Sequence, residues 1–457
     1  RSVLLLVLAA STTAHTADDR FKQIRDQIKQ ALLDTHTPSL AVAVAVDGKV
    51  IWEEAFGWAD RENQVPATIH TMYSLASISK PITATGLMTL VEKGLLDLDQ
   101  PANDYLEDSL IVAHVGNASD ATLRNLANHT SGLPLHYQFF YEDEPYRKPD
   151  MRESIRRYGH LHAAPGERYQ YANFGYGIID YIIQRTAKQS YADFMRNAVF
   201  VPLGMNHSAV NLPAELKSFQ AVRYGPQQQP LPFYDFDHPG ASAVYSSVHD
   251  LIRFGLFHLK QRNDQQKAIL RDITIDRMHA PTATINGQLG YGVGWFHNAD
   301  EFGVKTVSHT GGMGGVRTRL VLVPDKNIAV ATLCNFSTSL PLRVSEDLLA
   351  ELIPEYREHL RQHRIDSSST PGSAAEPPFQ PTPELLGNWK GHVHTYAGKR
   401  AVKLWIKSSG DIHIKIDNQL TMLLNQVRFD DGELRGVFAS NVGTNDANRR
   451  PYHVHLR

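Results

Sequence analysis

The sequence predicts an α+β fold: an antiparallel β-sheet flanked by helices, with an inserted all-α lobe, followed by a small C-terminal antiparallel β-barrel. Three observations support this prediction. Strand patterns occur at both ends of residues 18–366 but are scarce in the middle, where helix and loop segments dominate. Residues 367–383 are rich in Ser, Pro and Ala, which is the composition of a linker. Residues 384–457 then consist of short alternating segments, which are typical of a small barrel.

Hydrophobic periodicity predicts the elements of the first domain. The turn Asp47-Gly48 joins two alternating runs into a hairpin, and Gly94 ends a helical run as glycine often does. In chain order we predict a helix (21–33), a hairpin (40–46 and 50–56), a helix (77–93), four strands (292–296, 304–308, 317–323 and 328–335) and a helix (342–352).

Composition narrows the function classes. The 457 residues allow about two to four domains, and 46 Lys and Arg against 48 Asp and Glu leave no excess of cations for a phosphate backbone. Nucleic acid is therefore not the expected partner. Cys334 is the single cysteine, so an intramolecular disulfide and a cysteine-rich metal site are excluded.

The N-terminus has the layout of a signal peptide. Arg1 precedes an apolar run at residues 3–10, and small polar residues follow it. Eight apolar residues are too few to span a bilayer, which needs about 20. We therefore expect residues 1–17 to be a leader, an exported protein that is periplasmic or secreted, and no integral membrane span.

The first motif with chemical content is Ser77-Ile78-Ser79-Lys80, at the start of a predicted helix. Positions i and i+3 share a helix face, so the Lys80 amine can reach the Ser77 hydroxyl. A neutral lysine could then deprotonate the serine for attack on a carbonyl. The pattern is short enough to occur by chance, and taken alone it is better explained by Ser77 acting as an N-cap.

Two further motifs follow along the chain. Tyr171-Ala172-Asn173, read as an extended segment, offers a phenol for proton transfer and an amide for a peptide-like group. His309-Thr310-Gly311-Gly312 follows a predicted strand, where glycines would let a substrate backbone approach and a free N–H could complete an oxyanion hole. Each has a simpler explanation, aromatic packing for the first and a turn for the second.

In this order and at these separations the three motifs resemble those of the penicillin-binding protein and class C β-lactamase-like serine hydrolase family. The resemblance covers residues 20–355, and the β-lactamase/DD-peptidase-like fold is what it implies. Accessory segments at residues 126–134 (LANHTSGLP), 243–251 (AVYSSVHDL) and 291–295 (YGVGW) extend it. It implies acyl transfer through a serine ester, with no metal and no organic cofactor.

The resemblance also implies a role for each residue. Ser77 is the nucleophile, Lys80 its base or orienter, and Tyr171 a second proton carrier. Asn173 holds the substrate amide, and the backbone N–H groups of Ser77 and Gly312 form the oxyanion hole. The other substrate-binding residues belong to the third motif: His309, Thr310 and Gly311. Of these, His309 and Thr310 face the leaving group or a substrate carboxylate.

Two departures refine the predicted substrate. The β-lactamases proper have lysine where this chain has His309, and a histidine near its usual pKa of about 6.5 binds a carboxylate only below neutrality. Acylation by β-lactams is therefore favoured over their efficient turnover. Gly312 stands where DD-carboxypeptidases often carry a hydroxyl, which argues against a carboxypeptidase. A serine hydrolase acting on small D-amino-acid-containing peptides is the prediction, with short peptides or small molecules and β-lactams as its partners.

Alternatives stay open. A carboxylesterase of the same group would use the same machinery, and a non-catalytic penicillin-binding-like sensor would only bind. Spaced histidine pairs raise a metal enzyme as a further rival, although no HExxH motif is present: His160/His162, His392/His394 and His453/His455. Residues 385–391 (LLGNWKG) open a C-terminal module that resembles a lipocalin-like domain. The sequence does not predict an oligomeric state.

Overall fold

The structure is a computed structural model that describes residues 20–369, 379–430, 433–442 and 450–456. The predicted leader and residues 370–378 of the predicted linker lie outside the described residues. The chain divides into a larger unit that ends at Gln362 and a smaller unit that begins at His363 and also includes residues 156–158. The domain boundaries proposed from the sequence remain predictions.

The elements of the larger unit fall into three stretches. The first contains α1 (Lys22–Asp34), β1 (Ser39–Val46), β2 (Lys49–Asp60), β3 (Val65–Pro66), β4 (Tyr73–Ser74) and α2 (Ser79–Glu92). The second contains β5 (Val112–Ala113), α3 (Leu123–Ala127), β6 (Phe140–Tyr141), α4 (Met151–Tyr158), β7 (His160–Leu161), α5 (Asn173–Ala187), α6 (Tyr191–Met195), β8 (Ser208–Val210), β9 (Tyr234–Asp235), α7 (Pro239–Ser242), β10 (Val244–Ser246), α8 (Val248–His258) and α9 (Asp272–His279). The third contains β11 (Ala283–Thr284), β12 (Leu289–Tyr291), β13 (Phe296–Glu301), β14 (Val304–Met313), β15 (Val316–Val323), β16 (Ile328–Cys334) and α10 (Leu340–Leu352), after which α11 (Pro354–Ser369) begins.

One antiparallel sheet joins the first and third stretches, in the order β11-β12-β13-β14-β15-β16-β1-β2-β3. Its centre is the pairing of β1 with β16, in which Leu40 faces Cys334 and Val46 faces Ile328. The alternation of Ala and Val along β1 produces a strand buried over almost its whole length. The predicted α+β fold, a helix-flanked antiparallel sheet with an inserted lobe, is confirmed.

Helices cover both faces of this sheet. On one face α1, α10 and the start of α11 form a single apolar cluster with the strands, in which the Phe21 and Trp52 rings stack at 4.9 Å. On the other face α8 packs against β16 and β1, and a Cβ added at Gly255 would lie 3.3 Å from the Ala329 Cβ. Burial on both faces explains why the central strands are continuously apolar.

The structure corrects two strand predictions. Residues 292–295 form a turn, because Gly294 adopts a positive φ of 87° and the Gly292 N–H donates to the Trp295 carbonyl oxygen at 2.8 Å. Strand β14 is longer than predicted: it continues from Val304 to Met313, and the His309 motif lies inside it rather than in a turn. Glycines at positions 311 and 312 carry no alternating pattern, which is why periodicity ended the strand too early.

The inserted lobe is mainly helical, as predicted, but it also contains short strands. These form a three-stranded sheet (β4-β10-β8), a parallel pair (β5-β7) and an antiparallel pair (β6-β9). Each strand is two or three residues long and has no periodicity that a sequence pattern could show.

The C-terminal unit contains β17 (Gly387–Thr395), β18 (Gly398–Ile406), β19 (Ile412–Ile416), β20 (Met422–Leu423), β21 (Asn425–Asp430), β22 (Glu433–Ser440) and β23 (Arg450–Leu456). They form two antiparallel sheets, β17-β18-β19-β20 and β21-β22-β23. Both sheets contribute to one apolar core, in which Ile412 and Ile414 of the first meet Leu434 and Phe438 of the second. Closure into a barrel and the likeness to a lipocalin-like domain remain predictions.

Within the described residues, no helix is long and apolar enough to cross a membrane.

Burial predicts which substitutions weaken the larger unit. Leu348 on α10 is fully buried in the cluster beneath the sheet, so Leu348→Ala is expected to lower the free energy of unfolding by about 2–4 kcal/mol. Leu33 on α1 is 70% exposed, and Leu33→Ala is expected to change it by less than about 0.5 kcal/mol. Urea titration followed by tryptophan fluorescence measures both, and equal effects of the two variants would contradict the assigned core.

Candidate active site

Ser77 lies in a 3-10 turn, Ala76–Ile78, that leads directly into α2. The N-cap position of α2 is Ile78, and no side chain caps the helix, so the alternative of Ser77 as a simple N-cap is wrong. Ala76 has a positive φ of 49°, which costs a residue other than glycine about 1–3 kcal/mol. Such backbone strain clusters at active sites.

Lys80 occupies the first turn of α2 and has no exposed surface. Its Nζ donates to Ser77 Oγ at 3.0 Å and to the Ala241 carbonyl oxygen at 3.1 Å. Burial lowers the pKa of Lys80 well below its ordinary value, because the charged amine loses its hydration. A neutral amine held this close to Ser77 Oγ can accept the hydroxyl proton.

Tyr171 reaches the same point from the loop that precedes α5. Its side chain hydrogen-bonds Ser77, and its ring centroid lies 4.7 Å from Lys80 Nζ. Burial raises the pKa of Tyr171 above its ordinary value, so the group is a phenol at neutral pH and can donate a proton. Ser77, Lys80 and Tyr171, predicted as one catalytic group, do meet in space.

Asn173 differs from the expected geometry, since it is not part of an extended segment but the first residue of α5. Ala172 before it is extended, so the chain changes conformation between the two motif residues. Asn173 Nδ2 donates to the His136 carbonyl oxygen at 3.1 Å, while Oδ1 is buried and has no hydrogen-bond partner within the described chain. An unpaired buried oxygen suits the acceptance of a substrate N–H.

His309 is buried, and both of its ring nitrogens are engaged within the protein. Nδ1 lies 2.7 Å from the Thr310 carbonyl oxygen and must donate to it, so Nε2 of the neutral ring accepts from the Tyr291 hydroxyl at 2.9 Å. Burial, together with the nearby Lys80, lowers the pKa of His309 to about 3. The expectation that His309 binds a carboxylate by becoming protonated below neutrality is therefore wrong.

Strand β14 presents an open edge at the site. Its pairing with β13 ends at Ser308, whereas its pairing with β15 continues to Met313. Over residues 309–313 no strand pairs with the other edge within the described chain. The Thr310 and Gly312 carbonyl oxygens accept hydrogen bonds from His309 Nδ1 and the Tyr137 hydroxyl, so the N–H groups of this edge are the ones available to a substrate. Thr310, Gly311 and Gly312 lie on this segment as the resemblance implies, and their contacts with substrate remain predictions.

Gly311 permits the closest approach between this strand and the turn that carries Ser77. A Cβ there would lie 2.1 Å from the Leu75 carbonyl oxygen and 2.2 Å from Thr318 Oγ1. Thr318 Oγ1 itself donates to the Leu75 carbonyl oxygen at 3.0 Å. The absence of a side chain therefore brings the Gly312 backbone next to the Ser77 turn, where the two predicted oxyanion-hole donors belong.

Sequence reasoning missed His129. Its ring is fully buried, its Nδ1 accepts the Ala172 N–H at 3.2 Å, and its ring centroid lies 4.2 Å from that of Tyr171. Burial lowers the pKa of His129 well below its ordinary value, so it supports the tyrosine as a neutral ring. His129 and Tyr291 fall within the accessory segments of the resemblance, which marked their positions without a role. No pattern in the sequence indicates that the Ala241 carbonyl oxygen contacts Lys80.

One histidine cluster with metal-ligand chemistry lies near the site. Among the described residues, His136, Asp237 and His238 form the group whose potential ligand atoms all lie within 4.8 Å. Asp237 Oδ1 accepts from both imidazoles at 2.8 Å, and Ser154 Oγ donates to Oδ2 at 3.0 Å. These hydrogen bonds satisfy the carboxylate without an ion. The pairs His160/His162 and His392/His394 do not belong to this group.

Comparisons with known proteins identify the family of the chain. The family model described as Beta-lactamase matches residues 18–354. The Unguisins hydrolase ungD' of Aspergillus campestris (strain IBT 28561) is 27% identical over 72% of this chain, and the match spans 64% of that protein, slightly less than two thirds. Penicillin-binding protein 4* of Bacillus subtilis (strain 168) is 28% identical over 69% of this chain and 72% of its own length.

Two solved structures show a similar fold. The octameric penicillin-binding protein homologue from Pyrococcus abyssi has a TM-score of 0.64 at 22% identity and covers 95% of both chains. A class C β-lactamase has a TM-score of 0.63 at 21% identity and covers 79% of this chain and 99% of its own. At these identities the likeness concerns the fold.

Gly311→Ala tests the close approach of β14. The new Cβ would overlap the Leu75 carbonyl oxygen, so we expect the strand to shift away from Ser77 and kcat/KM for a chromogenic ester to fall at least 10-fold. Gly314→Ala is the matched control, because its nearest neighbour atom is 3.6 Å away. Equal activity of both variants and the wild type would show that the approach is not needed.

The protonation state of His309 predicts the pH profile. Because its pKa is about 3, His309 stays neutral between pH 5.5 and 8. We expect His309→Gln to lower kcat/KM while leaving the shape of its pH profile unchanged over this range. Loss of an inflection near pH 6.5 in the variant would show instead that His309 titrates in the active enzyme.

Proposed function

Because the chain belongs to the Beta-lactamase family, we propose that it hydrolyses amide or ester bonds of small D-amino-acid-containing peptides through an acyl-enzyme on Ser77. That it is a serine hydrolase of the β-lactamase and penicillin-binding protein type follows from the family. The observation that supports an acyl-enzyme on Ser77 is the 3.0 Å contact between Ser77 Oγ and Nζ of the fully buried Lys80.

Acylation uses the three catalytic side chains. Neutral Lys80 accepts the Ser77 proton as Oγ bonds to the substrate carbonyl carbon, and the backbone N–H groups of Ser77 and Gly312 stabilise the oxyanion. The C–N or C–O bond then breaks, and the protonated Tyr171 phenol gives its proton to the leaving amine or alcohol. Lys80 returns its proton to Tyr171, which restores both groups.

Deacylation follows the same path with water. A water molecule attacks the ester carbonyl carbon and loses its proton to the Lys80 and Tyr171 pair. The bond between the carbonyl carbon and Ser77 Oγ breaks, and Oγ recovers the proton. Because Lys80 must be neutral to act as a base, its depressed pKa extends activity to a lower pH than an ordinary lysine would allow.

The names of the relatives support the substrate class. Penicillin-binding protein 4* is similar in sequence, and a class C β-lactamase is similar in fold. A β-lactam carries a strained amide that Ser77 would open to the same kind of acyl-enzyme. The open edge of β14 suits a short peptide in extended conformation. We propose that β-lactams acylate Ser77, and that export, expected from the N-terminal apolar run, brings the enzyme to its peptides.

Labelling with a fluorescent penicillin tests the mechanism. Ser77→Ala is expected to abolish labelling and turnover, because no nucleophile remains. Lys80→Met fills the same apolar space without a base, and we expect the acylation rate to fall at least 100-fold. Thermal melting checks that both variants fold. A panel of D-alanyl peptides, D-amino-acid amides and p-nitrophenyl esters separates a peptidase from an esterase.

Labelled Ser77→Ala protein would contradict the assignment of the nucleophile. Turnover of simple esters alone, with neither labelling nor D-peptide hydrolysis, would favour the carboxylesterase.

A further inference from the structure

The segment that holds Asn173 has a strained backbone. Asn173 Nδ2 donates to the His136 carbonyl oxygen at 3.1 Å, and the Asn173 backbone N–H donates to the Leu135 carbonyl oxygen at 2.8 Å. His136 has a positive φ of 48°, a conformation that costs a residue other than glycine about 1–3 kcal/mol and persists only where the surrounding structure enforces it. The segment therefore needs contacts that hold it in this conformation.

Asp237 supplies such a contact to the His136 ring. His136 Nε2 lies 2.8 Å from Oδ1 and 3.0 Å from Oδ2 of Asp237, and the two side chains are 5% and 0% exposed. The same carboxylate accepts from His238 Nδ1 at 2.8 Å and from Ser154 Oγ at 3.0 Å. Burial opposes the ionisation of Asp237, but the attraction and the hydrogen bonds of the two imidazoles outweigh it and lower the pKa. Hydrogen bonds to a charged acceptor are the stronger kind, so Asp237 is suited to hold a strained segment.

The His136 carbonyl determines which end of the Asn173 amide is available to a substrate. A carbonyl oxygen accepts hydrogen bonds but cannot donate them, so the NH2 end of the amide must face it. Oδ1 is thereby left as a buried acceptor without a partner in the described chain. If the carbonyl moved, the amide could rotate and present a donor where a substrate N–H needs an acceptor.

A second buried aspartate, Asp180, supports the catalytic base instead. Its Oδ2 accepts the backbone N–H of Gly240 in α7 at 2.6 Å. The next residue of α7, Ala241, holds Lys80 through its carbonyl oxygen. Because α7 has this attachment of its own, loss of Asp237 is expected to disturb the amide contact more than the catalytic base.

We propose that Asp237 is a positioning residue for substrate recognition: through the His136 ring it fixes the carbonyl that orients Asn173, and so it sets the preference for substrates with an N–H in the acyl group. The inference rests on the proposed function and adds to it a residue that acts without touching the substrate. Asp237 contributes by keeping one amide in one orientation.

The test compares two p-nitrophenyl esters that differ in one group: that of N-acetyl-D-alanine, and that of O-acetyl-D-lactic acid, in which an oxygen replaces the N–H. In the wild type we expect the N–H compound to have the higher kcat/KM. Asp237→Ala is expected to lower the ratio of the two kcat/KM values roughly 3- to 10-fold, the range for one hydrogen bond. His136→Phe keeps the volume of the ring but cannot donate, so it is expected to lower the ratio in the same way, and it carries the test if Asp237→Ala does not fold.

Two further variants serve as controls. Asp180→Ala removes a buried carboxyl group that supports α7, so it should affect both esters alike and leave the ratio unchanged. Asn173→Ala removes the acceptor itself, and adding Asp237→Ala to it is expected to lower the ratio no further, because both changes remove the same interaction. A further drop of the ratio in the double variant would contradict the proposed route through Asn173.

A binding measurement separates this inference from the proposed function. Titration calorimetry with Ser77→Ala protein compares the affinity for the two esters without turnover, with and without Asp237→Ala. A preference for the N–H compound that depends on Asp237 supports the positioning role even if the wild type hydrolyses neither ester, which would reject the proposed function alone. Equal affinity for the two esters, or a ratio of kcat/KM values within twofold of wild type in both Asp237→Ala and His136→Phe, overturns the positioning role.

Discussion

The burial of Lys80 is the constraint on which the site depends. A charged amine without a carboxylate partner would cost several kcal/mol in this interior, and no ion pair to Lys80 is found among the described residues. The low-cost state is the neutral amine, which is also the state that a base requires. The Ala241 carbonyl and the Tyr171 ring hold this amine against Ser77 without restoring its charge.

The same dry interior determines what His309 can do. A lysine at this position would carry its charge toward the substrate, whereas His309 is neutral and is held between Tyr291 and the Thr310 carbonyl. Its contribution is to hold strand β14 in place rather than to attract an anion.

Much of the fold could be predicted because its elements have strong periodicity. Helix α1 and strands β1, β15 and β16 lie within one or two residues of their predicted bounds. Prediction failed where glycine removes the pattern, at the extension of β14 and at the turn that contains Gly294. In the site, the motif residues could be predicted from the resemblance. The contacts of the His129 ring with the Tyr171 segment and of the Ala241 carbonyl oxygen with Lys80 could not, because they join segments that are distant in the sequence. Such contacts leave no spacing that a sequence can show.

The pairing of β1 with β16 has a consequence for synthesis of the protein. Leu40 on β1 faces Cys334 on β16, so β1 cannot pair with β16 until almost the whole larger unit has been synthesised. Loop closure over such a separation makes folding slow, and an unpaired apolar strand is prone to aggregate meanwhile. Ser77 and Lys80 are synthesised early, but β14 and β15, which complete the active site around them, are synthesised only near the end of the larger unit. Hydrolytic activity is thus withheld from the nascent chain until the sheet closes.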